Sequence, residues 1–575
     1  MKFARSVVVA AALALGASAQ VERWNVGPGG VEANQDSGFT SGVSRDGQRV
    51  VFVSTATNLV VADTNGVQDV FLRDAAANVT LRVSTSASGA QAALASGAPT
   101  LSADGLWVAF SSRSPNLVPG DTNGIEDVFV KDLATGAIAL ASVDSFGALA
   151  NGASRAPSLS ADGRRVAFAS LASNLVPGDT NATWDVFVHD RNTGVTLRAS
   201  VDSLGLQGDG ESTAPMLAGC GCCVAFTSAA ANLVPLDTNF ATDVFVHDLA
   251  SGHTSCASLN LSGSPAFLGA QRAFLSADAA FVGFDSASPD LVAGDTNQTT
   301  DVFVLARWSG SLARVSVATG GNEGDHMSFS GSLSGDGRFV TFTSLAANLV
   351  FGDTNLKQDV FVHDRATTQT VRASVSAAGV EGNQSSSGGA LSFDGRFTVF
   401  SSYASNLVAN DTNGVGDVFR VDRGAPSTGA PQSFCSAGTS SNGCNATLSA
   451  SAQPSLSGAA PCLLLASGVE GQRSGLFFYG IDNSCFVPIP WGASSSWLCV
   501  RAPLQRTPLA SSGGTNGSCD GTLALDWSAF AASHPSALGQ PWGLGARAFV
   551  QAWYRDPPSP KTTTLSDALL LTWTP

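Results

Sequence analysis

The chain has 575 residues, of which 44% are hydrophobic and only 13% charged, with 61 glycines and a formal net charge of −15. So many hydrophobics with so few charges exclude a disordered chain, and the acidic balance excludes nucleic acid, whose phosphates demand a basic face. The length admits several domains, or one repeat architecture spread over most of the sequence.

The chain opens with Lys2 and Arg5, an apolar run from Val7 to Leu15, and then Ala17-Ser18-Ala19. This pattern predicts a secretory signal peptide over residues 1–19, its apolar core too short to span a bilayer. No later stretch reaches about 18 uninterrupted apolar residues, so no transmembrane segment is expected after cleavage. Ten cysteines agree with an exported, oxidising destination, periplasmic or extracellular.

A period of 58 residues then runs over seven copies, predicting one repeat domain over residues 20–426. In the third copy Ala156 to Ser160 leads into the turn Ala161-Asp162-Gly163, Arg164 to Ser170 reads as a strand, and Asp185 to Asp190 as another. The turn Asn192-Thr193-Gly194 precedes a fourth, Thr196 to Val201. Four short strands per copy describe a propeller blade better than a solenoid coil. The seventh copy stops after Phe419-Arg420-Val421-Asp422, and Val21 to Val26 falls where its fourth strand belongs, so the N-terminal strand is expected to close the ring.

These copies also resemble a known family. Leu159 to Phe168 followed by Asp185-Val186-Phe187-Val188-His189-Asp190 is similar to the TolB-like, WD-repeat-like propeller repeats of exported bacterial proteins, over about residues 21–426. The resemblance implies a propeller; such propellers serve as binding scaffolds, assembly partners and occasionally enzymes.

Each copy carries a long loop between its second and third strands with Asp-Thr-Asn and, six residues after the first aspartate, a second one. The resulting sets are Asp63, Asn65 and Asp69; Asp121, Asn123 and Asp127; Asp179, Asn181 and Asp185; Asp237, Asn239 and Asp243. Three more follow: Asp295, Asn297 and Asp301; Asp353, Asn355 and Asp359; Asp411, Asn413 and Asp417. Strand direction puts all these loops and the variable connectors on one face. Two carboxylates and an amide oxygen are hard donors suited to Ca²⁺, which takes about six to eight oxygens. Few basic residues lie nearby in sequence, so bound cations would ease the repulsion. The competing reading is structural, because Asp and Asn also bond backbone amides in Asx-turns. The residues between Asn and the second Asp change freely and are read as non-ligands.

Asp46, Asp104, Asp162, Asp336 and Asp394, which precede Gly, and Asp278, which precedes Ala279, are read as turn formers. His189, His247 and His363 share a position held by Arg73 and Lys131 elsewhere, which reads as an exposed strand residue. The fourth copy alone has Cys220, Cys222, Cys223 and Cys256, read as disulfide-forming, with pairing open.

Residues 427–433 read as a linker and 434–575 as a small β-sandwich stapled by about three disulfides among Cys435, Cys444, Cys462, Cys485, Cys499 and Cys519. Phe434 to Gly438 with Gly443-Cys444, and Trp553 to Asp556 with Thr564 to Ala568, resemble a C-terminal domain of exported bacterial proteins. That resemblance implies Cys435 with Cys444 and Cys499 with Cys519, leaving Cys462 with Cys485.

The expected fold is thus all-β, a seven-bladed β-propeller closed by its N-terminal strand plus a small disulfide-linked β-sandwich. No Gly-x-Ser-x-Gly elbow or metal-spaced His pair appears, so no enzyme is expected. The expected function is a non-catalytic, monomeric binding module whose long-loop face, with Ca²⁺ as candidate stabiliser, recognises a protein or glycan of the envelope or extracellular space. The alternative is a structural envelope component with the tail as anchor.

Overall fold

The computed structural model of the chain describes residues 20–574 apart from 39–41, 425–430, 434, 436, 458–460, 484–488, 492–495, 544–545 and 558–561. The expected signal peptide, residues 427–430 of the expected linker and Cys485 lie outside the described residues.

Each of the first six 58-residue copies forms one four-stranded antiparallel sheet with its strands in consecutive order, and the seventh supplies three strands of such a sheet. In the third copy these are Ser154–Leu159, Arg165–Ser170, Asp185–Asp190 and Val195–Arg198. The fourth strand ends at Arg198 rather than Val201 because the Ala199 N–H turns back to the Val186 carbonyl at 2.7 Å and the Ser200 hydroxyl bonds Asp185 at 2.5 Å. Val, Ala and Phe fill the two middle strands because both faces are covered by neighbouring sheets, and Val166, Phe168, Val186 and Phe187 are fully buried. One cross-strand phenylalanine pair recurs in every sheet, as Phe168 on Phe187 with ring centroids 6.0 Å apart. Such a pair adds about 0.5–1.5 kcal/mol beyond its buried area.

The turn reading holds for the Asp-Gly aspartates. In the third copy Asp162 accepts the Ser160 hydroxyl at 2.6 Å and the Arg164 N–H at 3.0 Å, and Asp336 repeats the arrangement with Ser334 and Arg338.

First strands of successive sheets pack on one another, Ser96–Leu101 on Ser154–Leu159, the latter on Ser212–Leu217, and so on to Ser386–Leu391. They therefore form the inner edge of the arrangement. In each the register shifts at a residue of positive φ: Ala98, Ala156, Ala214, Arg272, Ser330 and Gly388, at 46° to 62°. Only the last is the glycine that such a bulge favours.

The segment Gln20–Arg23 pairs antiparallel with Asp417–Asp422 as the fourth strand of the seventh sheet. Between the seventh and first copies, the Ser37 N–H bonds the Gly416 carbonyl at 2.8 Å, and Arg420 Nη1 bonds the Gly47 carbonyl at 2.9 Å.

In the tail, the long strands Arg547–Arg555 and Thr563–Thr572 centre one sheet, and Thr447–Ala450, Leu463–Val469 and Gly521–Asp526 form a second. Tyr479, Trp527, Tyr554 and Trp573 belong to one core cluster, so the tail aromatics named here pack inward. Gln432–Ser433, within the expected linker, already pairs with Leu569 and Leu570. Among the described residues of the tail the disulfides are Cys435–Cys499 and Cys444–Cys519, which corrects the implied pairing, and Cys462 is a buried free thiol. The strand Gln432–Ser433 delivers Cys435 into the cluster of Cys499, Val500 and Phe549, away from Cys444. Arg547 Nη1 lies 3.5 Å from Asp278 Oδ2, joining the tail to the turn of the fifth copy. Among the described residues no helix is long and apolar enough to cross a membrane.

Candidate functional site

The Asp-Thr-Asn loops share one internal chemistry. In the third copy Asn181 Oδ1 accepts the Thr183 N–H at 3.3 Å, while Asn181 Nδ2 donates to Asp185 Oδ2 and to the Gly208 carbonyl, both at 3.0 Å. The two acceptors fix the amide, so the asparagine turns its NH₂, not its oxygen, toward the second carboxylate. Asn65, Asn123, Asn239, Asn297, Asn355 and Asn413 do the same with Asp69, Asp127, Asp243, Asp301, Asp359 and Asp417. The Asx-turn expected of a structural loop is present in each.

In five of the seven loops an arginine guanidinium sits between the two carboxylates. Arg82 Nη1 is 3.0 Å from Asp63 and 3.7 Å from Asp69, and Arg198 Nη1 is 3.5 Å from Asp179 and 3.6 Å from Asp185. Arg314 Nη1 lies 3.4 Å from Asp295 and 3.2 Å from Asp301, and Arg372 Nη1 lies 3.1 Å from Asp353 and 3.2 Å from Asp359. Arg23, from the N-terminal strand, serves the last loop, 3.8 Å from Asp411 and 3.6 Å from Asp417. The premise that few basic residues lie near these loops is therefore corrected: the partner comes from the fourth strand, folded back over the loop.

Leu140 and Cys256 hold the arginine's position in the second and fourth copies, leaving Asp121 with Asp127 and Asp237 with Asp243 without this cation. Burial pushes the carboxyls of Asp121, Asp127 and Asp237 up, and that of Asp243 up to about 6. Burial also raises Asp295 and Asp301 despite Arg314, so desolvation outweighs the ion pair there. Among the described residues no group of three or more His, Cys, Asp or Glu side chains is placed to hold a metal.

The reading of the shared histidines as exposed is corrected. His189, His247 and His363 are buried, and each Nδ1 lies 2.9 Å from the hydroxyl of Thr196, Thr254 or Thr370. That hydroxyl in turn donates to a carbonyl of the preceding connector, as Thr196 does to Val143 at 2.6 Å. Lys131 reaches the same connector through the Thr85 carbonyl at 2.8 Å. At His189, His247, His363 and Lys131 the basic residue thus bridges neighbouring copies rather than facing water. In the fourth copy Cys220 bonds Cys222, while burial pushes the thiols of Cys223 up to about 11 and of Cys256 up to about 12.

At the inner edge the copies differ. The residue before each second aspartate, read as free to vary, sits against the next inner strand: its carbonyl accepts the first N–H of that strand, as Trp184 accepts Ser212 at 2.7 Å. Its side chain is Gln68, Glu126, Trp184, Thr242, Thr300, Gln358 or Gly416. The Arg155 guanidinium stacks 3.9 Å over Trp184, and Glu126 accepts the Ser111 hydroxyl at 2.7 Å.

In the fifth copy Asp285 is buried where the fourth and sixth have Thr227 and Thr343. Its Oδ2 accepts the Ser330 N–H at 2.8 Å and lies 3.4 Å from Arg272 Nη1, while its Oδ1 has no hydrogen-bond partner among the described residues. Burial pushes this carboxyl up to about 7. Sequence reasoning missed this edge, although its signal was in view as the variability inside otherwise invariant loops.

No family model matches the chain, and no curated protein matches it. Solved structures similar to it include TolB from Acinetobacter baumannii, at 15% identity and TM-score 0.32 over 53% of this chain and 59% of that one. An acylaminoacyl peptidase from Pyrococcus horikoshii matches at 10% identity and TM-score 0.39 over 76% of this chain and 59% of that one. A puromycin-hydrolyzing peptidase from Mycobacterium tuberculosis matches at 13% identity and TM-score 0.40 over 78% and 62%. The chain thus spans less than two thirds of the length of each of these three. The expectation of a non-catalytic module, and of no enzyme, is corrected by these neighbours: structures named as peptidases share the arrangement of sheets, so it does not mark a binder as against an enzyme. What the chain has in common with them is a propeller-like arrangement of four-stranded antiparallel sheets, and its fold is TolB-like in that sense.

Proposed function

We propose that the seven sheets close into a ring, sealed by the strand Gln20–Arg23, and that this exported, peptidase-like protein holds a polypeptide at the ring's centre. The observation that carries this reading is the inner edge. A ring of near-identical copies has pseudo-symmetry, so a ligand without that symmetry is held by the residues that break it. Those residues mix charge and aromatic surface, with Arg155 on Trp184, Glu126, and Arg272 above Asp285. Such a mixture suits a chain with both charged and apolar side chains. The disulfides support an oxidising, exported location.

The test is binding and cleavage of a labelled unfolded polypeptide and a fluorogenic peptide library. Binding is expected, and joint replacement Arg155→Ala with Trp184→Ala should weaken it by about tenfold or more, an aromatic and an arginine being typical anchors. Absence of both binding and turnover with every peptide would overturn the reading.

For calcium we propose only the two loops without arginine, at Asp121 with Asp127 and at Asp237 with Asp243. Calorimetry of chelator-treated protein should show at most two sites, with Ca²⁺ displacing the proton held by Asp243. Leu140→Arg and Cys256→Arg, which restore the repeat's guanidinium, should remove them. Seven sites, or none, would contradict this assignment.

A further inference from the structure

A cavity of about 830 Å³ opens between the fourth and fifth copies and is covered in part by Cys435 and Trp497 of the tail. Its origin lies in departures from the repeat. Where the third, fourth and sixth copies carry the His–Thr bridge to the preceding connector, the fifth has Leu305 and Leu312. With no hydroxyl to reach Leu259, which stands at the connector position of Val143, this junction is apolar and parts into a cleft lined by Leu259, Leu261, Leu291, Leu305 and Leu312.

A second departure frees a charge. Arg191, Arg365 and Arg423 each bond the carbonyl of a turn and lie over an aromatic ring of the preceding copy: Trp107 at 3.8 Å, Phe281 at 4.2 Å and Phe339 at 4.9 Å. Arg307 keeps the carbonyl bond, Nη1 to Ala279 at 2.9 Å, but the ring's position is Cys223, and the guanidinium lies instead 4.7 Å from the centre of Trp308. Nη1 is thus engaged, while Nε and Nη2 make no hydrogen bond among the described residues. That edge is the fork which Arg338 uses on Asp364, with Nε at 2.8 Å and Nη2 at 2.7 Å. Among the described residues no Asp or Glu lines the cleft, in a chain that holds 45 of them.

We propose that this cleft binds an anionic amphiphile, a fatty carboxylic acid whose chain lies between the leucines and the rings of Trp308 and Trp497 and whose carboxylate takes the Nε–Nη2 edge of Arg307. The volume is within the range of small-molecule sites, walls apolar and polar groups few. A planar carboxylate matches the guanidinium fork with two charge-assisted hydrogen bonds. This site stands apart from the inner edge and does not depend on what is held there.

The test is titration of the full mature chain with a saturated fatty acid of about twelve carbons, a length within the size of ligand such cavities take, followed by calorimetry and the fluorescence of Trp308 and Trp497. Its methyl ester and the alkyltrimethylammonium ion of equal length are the controls. The acid should bind about tenfold or more tightly than either. Arg307→Gln should bring the acid to the ester's affinity, and Ala293→Trp, which fills the cleft from an exposed lining position, should abolish binding of the acid. Equal binding of acid, ester and cation, no binding of the acid, or binding untouched by Ala293→Trp would each overturn the assignment. Should Arg307→Gln fail to fold through loss of its turn bond, the acid–ester comparison on the natural chain and Ala293→Trp decide the matter.

Discussion

Replacing Arg314 by Ala should cost about 2–4 kcal/mol of stability at pH 8. The guanidinium is nine-tenths buried and lies 3.4 Å from Asp295, 3.2 Å from Asp301 and 2.8 Å from Glu323. Removing it leaves the buried Asp295 and Asp301 facing one another without a cation, and an unpaired buried charge costs far more than the pair itself contributed. The loss should shrink as the pH falls, because both carboxyls already hold their protons more tightly than usual and neutralise readily. Adding Asp295→Asn to Arg314→Ala should recover part of the loss. Urea unfolding at pH 8 and pH 5 measures both effects, and an equal loss at the two pH values would contradict the electrostatic cause.

Asp285→Thr should do the opposite and stabilise the protein above neutral pH. The carboxyl titrates at about 7 when folded, against an ordinary value near 3.8, because burial opposes its charge. Between those values the folded state holds a proton that the unfolded state has released, so stability falls as the pH rises through the window, and the whole penalty is felt above pH 7. A shift of this size corresponds to at most about 4 kcal/mol. Threonine is what the fourth and sixth copies carry there, and the Thr343 hydroxyl accepts the Gly388 N–H at 3.1 Å, as Asp285 accepts that of Ser330. The variant should therefore exceed the natural chain in stability at pH 8 by about 2–4 kcal/mol and converge with it near pH 4. A variant less stable at pH 8 would mean that the contact with half-exposed Arg272 outweighs burial.

The strands were legible in the sequence because seven copies at a fixed spacing average out local ambiguity, and because Val-Phe-Val runs between turn residues leave one choice of element. The arginine of the acidic loop was not. It stands 19 residues downstream of the first aspartate, is Leu140 and Cys256 in two copies, and for the last loop comes from Arg23 at the far end of the chain. Within the loop's own sequence the carboxylates therefore stand without a counter-ion. The histidines misled for a related reason: interchange of His, Arg and Lys looks like a solvated face, yet at His189 and Lys131 it reflects a polar bridge to the preceding connector. The left-handed residues of the inner strands left no signal, since Ala98, Ala156 and Ala214 stand where a bulge would call for glycine. In the tail, cysteines near in sequence were paired on a resemblance, whereas strand Gln432–Ser433 sets the true partner of Cys435 across the sheet.

These contrasts divide the molecule by role. What every copy shares, including the asparagine-pinned loops, builds the sheets; what single copies change lies at the inner edge, in the two loops without arginine and in the cleft beside the fifth sheet.

The most direct measurement of the central claim is photo-crosslinking of a bound unfolded polypeptide from a reactive side chain placed at Trp184 on the inner edge or at Phe146, which is fully exposed on a connector. The account predicts adducts from position 184 and few from position 146. Adducts from 146 with none from 184 would contradict it.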